Sequence, residues 1–396
     1  MSRGEAKVRA AARAPERTKA RILHLHSSFD AGGKELRCVR LINAFGPSVA
    51  HTIVSGEPDA KGAAALISRA IPVDYPAEFP PLAGRLAPGR LKKLAEAMRG
   101  YDLVLSYNWG AMDGVMAHTL FGQHFGLAPL IHHEDGFNSD EAVRLKTRRN
   151  WYRRIALGRA AGLVVPSLAL DRIAIETWVQ PRARVHRIAN GIPTAAYARK
   201  PRADALPGLI KRKGESWIGT LAGLRAVKNL PRMVRAFAGL PDHWQLVIMG
   251  EGPERAAIEA EAQRLGVEHR VHLPGFAADP SRVIGLLDIF ALSSDSEQFP
   301  ISVVAAMSAG LPVAAPAVGD IAEMVAPENR PFLCEPGDEG GLSDAFHLLA
   351  MGDAARRATG EANRRRAREL YDEGTMIARY EALYAAAMGR KSLTGD

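Results

Sequence analysis

The stretch Ser293–Val325, SSDSEQFPISVVAAMSAGLPVAAPAVGDIAEMV, carries the pattern that decides the fold. A buried strand ends in a polar loop that contains Glu297, Pro300 opens a helix, and Gly310 ends that helix before another buried strand begins. A second loop, Val318-Gly319-Asp320, follows that strand. Strand, loop, helix and strand in direct succession predict parallel β-α-β units, in which ligands bind at the carboxyl ends of the strands.

The same alternation extends in both directions, since short apolar runs are separated by amphipathic stretches of about 10 to 15 residues. In the first half, strands are predicted at 21–26, 51–55, 101–108, 129–133, 162–167 and 182–189, and helices near 34–45, 89–99, 111–121, 141–159 and 168–178. In the second half, strands are predicted at 217–223, 244–250, 270–275, 288–294 and 312–316, and helices near 229–239, 253–265, 300–309, 338–350, 353–370 and 374–388.

The stretch 191–215 lacks a sustained period, is rich in proline and contains the charge run KRKGE, so it is predicted as a linker. It divides the chain into a first Rossmann-like domain over 21–190 and a second over 216–370. Residues 1–20 are interpreted as a disordered basic tail, and 371–396 as a C-terminal helix and tail that cross back. The fold class is α/β, with two parallel-sheet domains facing a cleft.

Composition limits the class of protein. The length of 396 residues suits two domains at roughly 100 to 200 residues each. With 47% hydrophobic and 24% charged residues, neither global disorder nor a fibrous repeat is expected. The two cysteines, Cys38 and Cys334, are too far apart for metal-ligand spacing or a disulfide framework. This favours a reducing, cytoplasmic compartment.

Charge and hydropathy exclude further classes. The net charge is +9, but residues 1–21 hold seven Lys/Arg against Glu5 and Glu16, so the body is only mildly basic. No nucleic-acid recognition module is present, and no nucleic-acid partner is predicted. The longest uncharged stretch, Phe299–Gly319, is interrupted by three prolines and Gly310, so no transmembrane helix is predicted.

Three loops carry candidate chemistry. Gly32-Gly33, after the first strand, suits either an anion at a helix start or an ordinary tight turn. The run Gly250–Arg255 imitates a dinucleotide fingerprint but has arginine in place of the third glycine, so a nicotinamide cofactor is not expected. Glu297 follows a strand and precedes a helix, where a carboxylate can hold sugar hydroxyls or cap the helix.

Taken in order, these motifs resemble the glycosyltransferase family 4 enzymes, which have the GT-B architecture of two Rossmann-like domains facing a cleft. The resemblance covers about residues 21–388. The segments that carry it are Gly32-Gly33, Asn190-Gly191, LRAVKN (Leu224–Asn229), MGEGPER (Met249–Arg255), HLPGF (His272–Phe276) and EQFPISVVAAMSAGLPVA (Glu297–Ala314).

The resemblance implies transfer of a hexosyl group from a nucleotide diphosphate sugar to a glycan or lipid-linked acceptor, with retention and without a metal or other cofactor. The acceptor would bind mainly the first domain and the donor the second. Glu297 would hold donor hydroxyls, and Lys228 and Arg225 the diphosphate, with the Gly33 N–H as a third donor. The remaining substrate-binding positions implied are Gly32, Asp135, Gly250, Gly275, Phe276, Gln298, Phe299, Pro300, Ile301 and Gly319, with backbone roles for Gly275-Phe276 and Gly319.

Three positions depart from the family pattern. The second motif glutamate, eight residues after Glu297, is replaced by Ala305, so a ribose contact is missing. Arg225 lies three residues before Lys228, whereas many members place it about five before. The family's first-domain histidine falls in the run HHEDG at 132–136, where His133 is the favoured candidate, followed by Asp135. Strand alternation would set His132 and Glu134 on one face and His133 and Asp135 on the other.

The segment 144–159, RLKTRRNWYRRIALGR, contains seven Lys/Arg and no acidic residue. With its interleaved apolar residues it suits a basic helix on an anionic membrane face, or a solvated helix that packs inward. Surface polysaccharide or glycolipid synthesis would bring such an enzyme to the inner face of the membrane.

Two alternatives stay open from the sequence. A sugar-nucleotide epimerase can share the two-domain architecture. A non-catalytic protein that binds a nucleotide sugar or a partner transferase would explain the alanine at position 305.

Overall fold

The computed structural model describes residues 19–137, 141 and 145–394. A seven-stranded parallel sheet in the order β3-β2-β1-β4-β5-β6-β7 forms the first domain. Its strands are β1 (Ala20–His26), β2 (Val49–Ser55), β3 (Val73–Asp74), β4 (Leu103–Tyr107), β5 (Leu130–His133), β6 (Gly162–Val165) and β7 (Val185–Arg187). Its helices are α1 (Gly33–Phe45), α2 (Pro88–Ala97), α3 (Met112–Phe125), α4 (Thr147–Ala156) and α5 (Leu168–Glu176).

A six-stranded parallel sheet in the order β10-β9-β8-β11-β12-β13 forms the second domain. Its strands are β8 (Ser216–Leu221), β9 (Trp244–Met249), β10 (Val271–Gly275), β11 (Ile289–Ala291), β12 (Val313–Pro316) and β13 (Leu333–Cys334). The helices after the linker are α6 (Leu230–Ala238), α7 (Arg255–Arg264), α8 (Ile301–Ser308), α9 (Ile321–Met324), α10 (Glu339–Met351), α11 (Asp353–Leu370) and α12 (Glu373–Ala387). The predicted α/β architecture with two parallel-sheet domains is confirmed.

The central strands are almost continuously apolar because helices cover both faces of each sheet. β4 and β11, beside the first strand of each sheet, are buried along their whole lengths. Hydrophobic clusters lie on the two faces of each sheet, so each domain has a core of its own.

The differences from the predicted elements have local causes. The strand predicted at 182–189 shortens to β7 because Arg182–Arg184 form a 3-10 turn before it. β3 and β13 are two-residue edge strands, and α9 is one turn, so each is too short to show a period. The described part of the helix predicted at 141–159 is α4, and residues 142–144 lie outside the described part.

The chain crosses between the domains twice at one place. The Ile192 N–H donates to the Tyr371 carbonyl, and the Glu373 N–H donates back to Ile192, at 3.0 and 2.9 Å. A Cβ on Gly191 would stand 2.8 Å from the Glu373 Cα, so only glycine fits at this crossing. α12 then packs on the first domain, where Tyr380 joins the core beside α1.

The carboxyl ends of the two sheets face one cleft. Across it, Gly136 of the first domain lies so close to Gln298 of the second that a Cβ on Gly136 would contact the Gln298 Cγ at 3.8 Å. Among the described helices, none has both the length and the apolar character needed to cross a bilayer.

Candidate active site

Lys228 and Glu297 meet at the cleft edge of the second domain. Lys228 ends the 3-10 turn Ala226–Lys228 after β8, and Glu297 lies in the loop after β11. The Lys228 ammonium donates to the Glu297 Oε1 at 2.5 Å, and the Ser294 hydroxyl donates to the same oxygen at 2.7 Å. Both side chains are mostly buried, which strengthens their electrostatic interaction. The structure thus brings together the cation and the carboxylate that the sequence singled out.

Backbone contacts fix this pair in place. The Ser293 hydroxyl donates to the Lys228 carbonyl at 2.9 Å, and the Asp295 N–H donates to the Val227 carbonyl at 2.9 Å. Arg232, on α6, forms an ion pair with Asp295 at 2.8 Å. The loops after β8 and β11 therefore form one unit. Sequence reasoning missed Ser293, Asp295 and Arg232, because their partners are more than 60 residues away along the chain.

Arg225 opens the turn that Lys228 closes, since the Lys228 N–H donates to the Arg225 carbonyl at 2.9 Å. Its guanidinium is exposed and makes no hydrogen bond or ion pair within the described part of the chain. Arg225 is therefore available to a ligand, whereas Lys228 already holds a carboxylate.

Two glycines of the second domain are required by close backbone packing. Gly250 has φ 156°, and a Cβ there would stand 1.9 Å from the Ala222 carbonyl oxygen. Gly319 has φ 59°, and a Cβ there would stand 2.3 Å from the Glu297 carbonyl oxygen. Gly319 thus presses its loop against the residue that carries the candidate carboxylate.

Phe276 follows a strand at the cleft, and 76% of its surface is accessible to solvent. It comes directly after Gly275, the last residue of β10, which has φ 93°. An isolated ring of this size normally packs inward, so its exposure suits a planar ligand. The Phe276 side chain is therefore a candidate ligand contact, in addition to the backbone contact predicted for the segment.

The residues after Glu297 divide between core and cleft. Phe299 packs edge-on against Tyr371 with ring centroids 5.6 Å apart, and Pro300 occupies the position before the first residue of α8. Ile301 is partly exposed, and the Gln298 Oε1 is buried without a hydrogen-bond partner in the described chain. Ala305 is buried in the second-domain core, so only a methyl group stands where the family motif has its second glutamate.

In the first domain, Gly32 and Gly33 begin α1. A Cβ on Gly32 would stand 2.7 Å from the Glu35 carboxylate, whereas one on Gly33 would meet nothing within 4 Å. Gly33 therefore leaves open space at a helix start, where unpaired N–H groups favour an anion.

Asp135 is held by Arg37 of α1. The Arg37 guanidinium donates to both carboxylate oxygens, the Nη2 contact being 2.8 Å, and also donates to the Asn190 Oδ1 at 2.8 Å. Burial raises the pKa of Asp135, but the charge and hydrogen bonds of Arg37 outweigh it and hold the pKa below its usual range. Asp135 is therefore an ionised partner of Arg37, an arginine that the sequence analysis did not single out.

The role assigned to His133 near the donor sugar needs correction, because its ring is buried under the cleft. The His133 Nδ1–H donates to the Ser106 carbonyl at 3.1 Å, and the Tyr384 hydroxyl of α12 donates to Nε2 at 2.7 Å. Burial and the charge of Arg37 lower the pKa of His133 to about 3. A neutral imidazole with both nitrogens occupied supports the fold instead of touching a substrate.

The neighbouring positions follow the predicted alternation. His132 and Glu134 point to the same side, 3.8 Å apart. Glu134 and Glu141 are buried and bind Arg153 of α4, which is 1% exposed.

These contacts change the interpretation of the basic segment 144–159. Arg153 points inward, and Arg149 binds Glu141 at 2.9 Å, so carboxylates from other segments neutralise two of its cations. Arg144 lies outside the described residues. On the outer face, Trp151 and Ile155 are 57% and 54% exposed. An apolar stripe flanked by cations therefore remains at the surface of α4.

One group of side chains in the described chain could hold a metal by distance, since ligand atoms of His24, His26 and Cys38 lie within 4.8 Å of one another. Burial raises the pKa of the Cys38 thiol to about 12, so the thiolate that a metal needs is disfavoured. Burial and the charges of Lys34 and Arg37 also lower the pKa of His26, and the same charges oppose a metal cation.

Two protein-family models match successive parts of the chain. The family model "Glycosyltransferase Family 4" matches residues 31–196, and "Glycosyl transferases group 1" matches residues 204–366. N-acetyl-alpha-D-glucosaminyl L-malate synthase of Bacillus anthracis is 26% identical over 208 residues, 52% of this chain and 55% of that protein. A GDP-mannose-dependent alpha-mannosyltransferase of Mycolicibacterium smegmatis is 29% identical over 267 residues, 65% of this chain and 66% of that protein. The alignments thus span about half to two thirds of these relatives.

Among solved structures, HepE of Anabaena in complex with UDP superposes with a TM-score of 0.77 at 22% identity. The superposition covers 92% of this chain and 100% of that one. At this identity the likeness concerns the fold, in which two parallel-sheet domains face one cleft.

Proposed function

The chain belongs to glycosyltransferase family 4, and from this we propose that it moves a sugar from a nucleotide diphosphate sugar to a glycan or lipid-linked acceptor with retention of configuration. The observation that carries the proposal is the Lys228–Glu297 pair at the cleft edge. It combines a cation for a leaving phosphate with a carboxylate for sugar hydroxyls, and the Gly319 loop packs against it.

The chemistry asks the protein to stabilise negative charge on the departing diphosphate. Lys228 is held in position by Glu297 before any ligand arrives, and Arg225 is exposed on the same turn. Preorganised donors of this kind lower the barrier most, because little reorganisation is needed when charge develops. The open N–H groups at the start of α1 supply further donors across the cleft. These groups support transfer in which no metal is required.

Retention requires the acceptor hydroxyl to attack from the face that the phosphate leaves. The bond between the anomeric carbon and the phosphate oxygen breaks, the bond to the acceptor oxygen forms, and the acceptor proton passes to the leaving phosphate. A covalent route would need an unencumbered carboxylate as nucleophile. The two candidate carboxylates are engaged, Glu297 with Lys228 and Ser294, and Asp135 with Arg37. This favours the single-face route.

The surroundings of the first domain support an acceptor that is linked to a lipid or a growing surface polysaccharide. The exposed Trp151 and Ile155 lie on a helix with exposed arginines, a combination suited to the surface of an anionic membrane. We therefore place the enzyme at the cytoplasmic face of the membrane, in surface polysaccharide or glycolipid synthesis.

A thermal-shift screen tests the donor half of the proposal. The protein is heated with UDP, GDP, ADP and their sugar conjugates, first with EDTA and then with magnesium. A ligand at a hundredfold excess over its dissociation constant should stabilise the fold by roughly 2.7 kcal/mol. A shift from one nucleotide family that does not depend on magnesium is the expected result.

The product then distinguishes the enzyme classes. NMR of the product formed with the matching donor should show a new glycosidic bond of the donor's own anomeric configuration. An isomerised nucleotide sugar without acceptor would instead indicate an epimerase. Nucleotide binding without any product would support the non-catalytic alternative, for which the buried Ala305 is the motivating observation.

A further inference from the structure

A cavity of about 400 Å³ opens on the first domain. Its walls come from the segment 82–86, the turn after β4 and one face of α4. The volume lies within the range of about 300 to 1,000 Å³ that is usual for sites of small organic ligands.

Short contacts connect this cavity to the cleft. Gly110, in its wall, packs so closely on the loop after β1 that a Cβ would stand 2.2 Å from the Ser27 Cβ. The adjacent Asn108 accepts a hydrogen bond from the Asp135 N–H at 2.8 Å and donates its own N–H to the His133 carbonyl. A ligand in the cavity would therefore extend toward the loop of Asp135 and Gly136, which lies across the cleft from Gln298.

The walls are mainly apolar and aromatic. Leu82, Leu86, Trp109 and Tyr152 line the cavity, and Leu86 is 55% exposed at its mouth. Tyr152 and the outward-facing Ile155 are three positions apart on α4, so the cavity adjoins the exposed apolar stripe of that helix. Apolar surface thus continues from the outside of the domain into the cavity.

The charge at the cavity is positive. Its carboxylate, Asp113, forms an ion pair with Arg90 and accepts a hydrogen bond from the Tyr152 hydroxyl at 2.6 Å. Arg149 lies over the Trp109 ring and binds Glu141. Arg148 is exposed at the cavity, and no contact to another described residue neutralises its guanidinium.

We propose that this cavity is the acceptor subsite and that it takes an acceptor in which a phosphate adjoins an apolar chain. Arg148 binds the phosphate, and Leu82, Leu86 and Trp109 cover the first carbons of the chain. The inference rests on the proposed transferase function, since only a transferase needs an acceptor. A bare sugar fits poorly, because it needs many hydrogen-bond partners, whereas Asp113, Tyr152 and Arg149 in the walls are already paired.

Calorimetry with three probes tests the subsite on the full chain: geranyl phosphate, geraniol and inorganic phosphate. Geranyl phosphate should bind at least tenfold more tightly than either of the other two. Arg148→Ala should weaken the binding of geranyl phosphate by roughly tenfold or more, since a hydrogen bond to a charged group is lost. The affinity for geraniol should stay unchanged. Leu86→Asp should weaken the binding of both geranyl phosphate and geraniol.

Matched controls lie outside the cavity. Arg99→Ala removes another exposed first-domain arginine, and Leu120→Asp replaces a leucine that is 55% exposed, as Leu86 is. Both should bind geranyl phosphate like the unmodified protein. Equal losses in Arg148→Ala and Arg99→Ala would overturn the subsite, because they would show unspecific charge attraction. Arg148-dependent binding to phosphatidylglycerol vesicles without binding of geranyl phosphate would also overturn it, and would assign the cavity to bulk lipid headgroups.

Nucleotide binding, followed by thermal shift in the same variants, separates the two proposals. If a nucleotide diphosphate stabilises every variant but geranyl phosphate fails to bind, the subsite is wrong and the proposed function stands. If geranyl phosphate binds but no nucleotide does, the transferase function fails and the acceptor role of the cavity fails with it.

Discussion

The Asp320 carboxylate of the second domain accepts hydrogen bonds from the Leu168 N–H at 2.6 Å and the Ala169 N–H at 3.2 Å, at the start of α5 in the first domain. The next N–H, of Leu170, is taken by the Ser167 hydroxyl at 3.1 Å. A carboxylate at a helix start is favoured by the unpaired N–H groups and the helix dipole. The contact therefore joins the Gly319 loop to the opposite wall of the cleft.

Asp320→Ala should open the cleft, since two N–H groups lose their acceptor. We expect a larger radius of gyration in small-angle X-ray scattering and a lower turnover. Asp338→Ala is the matched control, because Asp338 caps α10 within the second domain and accepts from the Gly341 N–H at 2.9 Å. It should lose about 1 kcal/mol of stability without changing the scattering. Identical scattering profiles for the two variants would exclude a closing role for Asp320.

Lys228→Ala should lower turnover by about 100-fold or more, because it removes the cation that we propose for the leaving phosphate. Steady-state rates with the donor from the nucleotide screen measure the effect. Lys213→Ala, at an exposed linker lysine, is the control and should keep full activity. Near-normal turnover of Lys228→Ala would remove Lys228 from the catalytic group.

The two-sheet fold could be predicted from the sequence because buried parallel strands and amphipathic helices have different patterns of hydrophobic residues. β1 and α1 illustrate this, since the predicted elements at 21–26 and 34–45 differ from the observed bounds by one residue. β3 could not be predicted, because two residues at a sheet edge carry no period. Strand pairing stabilises such elements, and pairing depends on distant residues.

The candidate site divides in the same way. Lys228 and Glu297 lie in the loops after β8 and β11, and their proximity could be predicted because parallel strands bring their carboxyl ends to one edge. The burial of His133 was not foreseeable, since the Tyr384 that covers it lies 251 residues away. The inward turn of Arg153 was missed for a related reason. The carboxylates that neutralise it, Glu134 and Glu141, both precede the basic segment, so a count of the charges within that segment does not include them.

Phe276→Ala should weaken binding of the nucleotide by roughly tenfold, since stacking of a base on an aromatic ring contributes about 1 to 3 kcal/mol. Phe276→Tyr should retain the affinity because it keeps the ring. Dissociation constants from calorimetry check both. Met351→Ala, which removes a side chain that is 85% exposed on α10, serves as control. If Phe276→Ala binds as tightly as Met351→Ala, the ring does not contact the base.

Replacing Trp151 and Ile155 together by serine should reduce flotation with phosphatidylglycerol vesicles several-fold, because apolar anchors of the α4 surface are lost. Binding should also fall at high salt, as the basic residues of the helix are screened. Leu348→Ser, at a leucine 60% exposed on the second domain, should float normally. Wild-type protein that fails to float would refute membrane contact through this segment.

Stability should fall as the pH drops below about 6.5, because buried histidines must stay neutral in the folded state. Burial lowers the pKa of His51 to about 4, and burial together with Arg37 lowers that of His133 to about 3, whereas unfolded histidine titrates near 6.5. Between the folded and the unfolded pKa values, the unfolded state therefore binds more protons than the folded state. The stabilising contribution of these histidines is fully present above pH 6.5 and decreases toward pH 4. Each such histidine costs about 1.4 kcal/mol per pH unit inside its window.

Urea denaturation at pH 7.5, 6.5, 5.5 and 5.0 measures this dependence. His51→Asn should reduce the slope of unfolding free energy against pH by one proton, whatever its effect on stability at pH 7.5. His243→Asn is the control at an exposed histidine and should leave the slope unchanged. Carboxylates such as Asp135, whose pKa is lowered by Arg37, lose their contribution to the free energy of unfolding only below about pH 4, outside the measured range. A slope that is the same in both variants would mean that the ring of His51 accepts a proton in the folded protein.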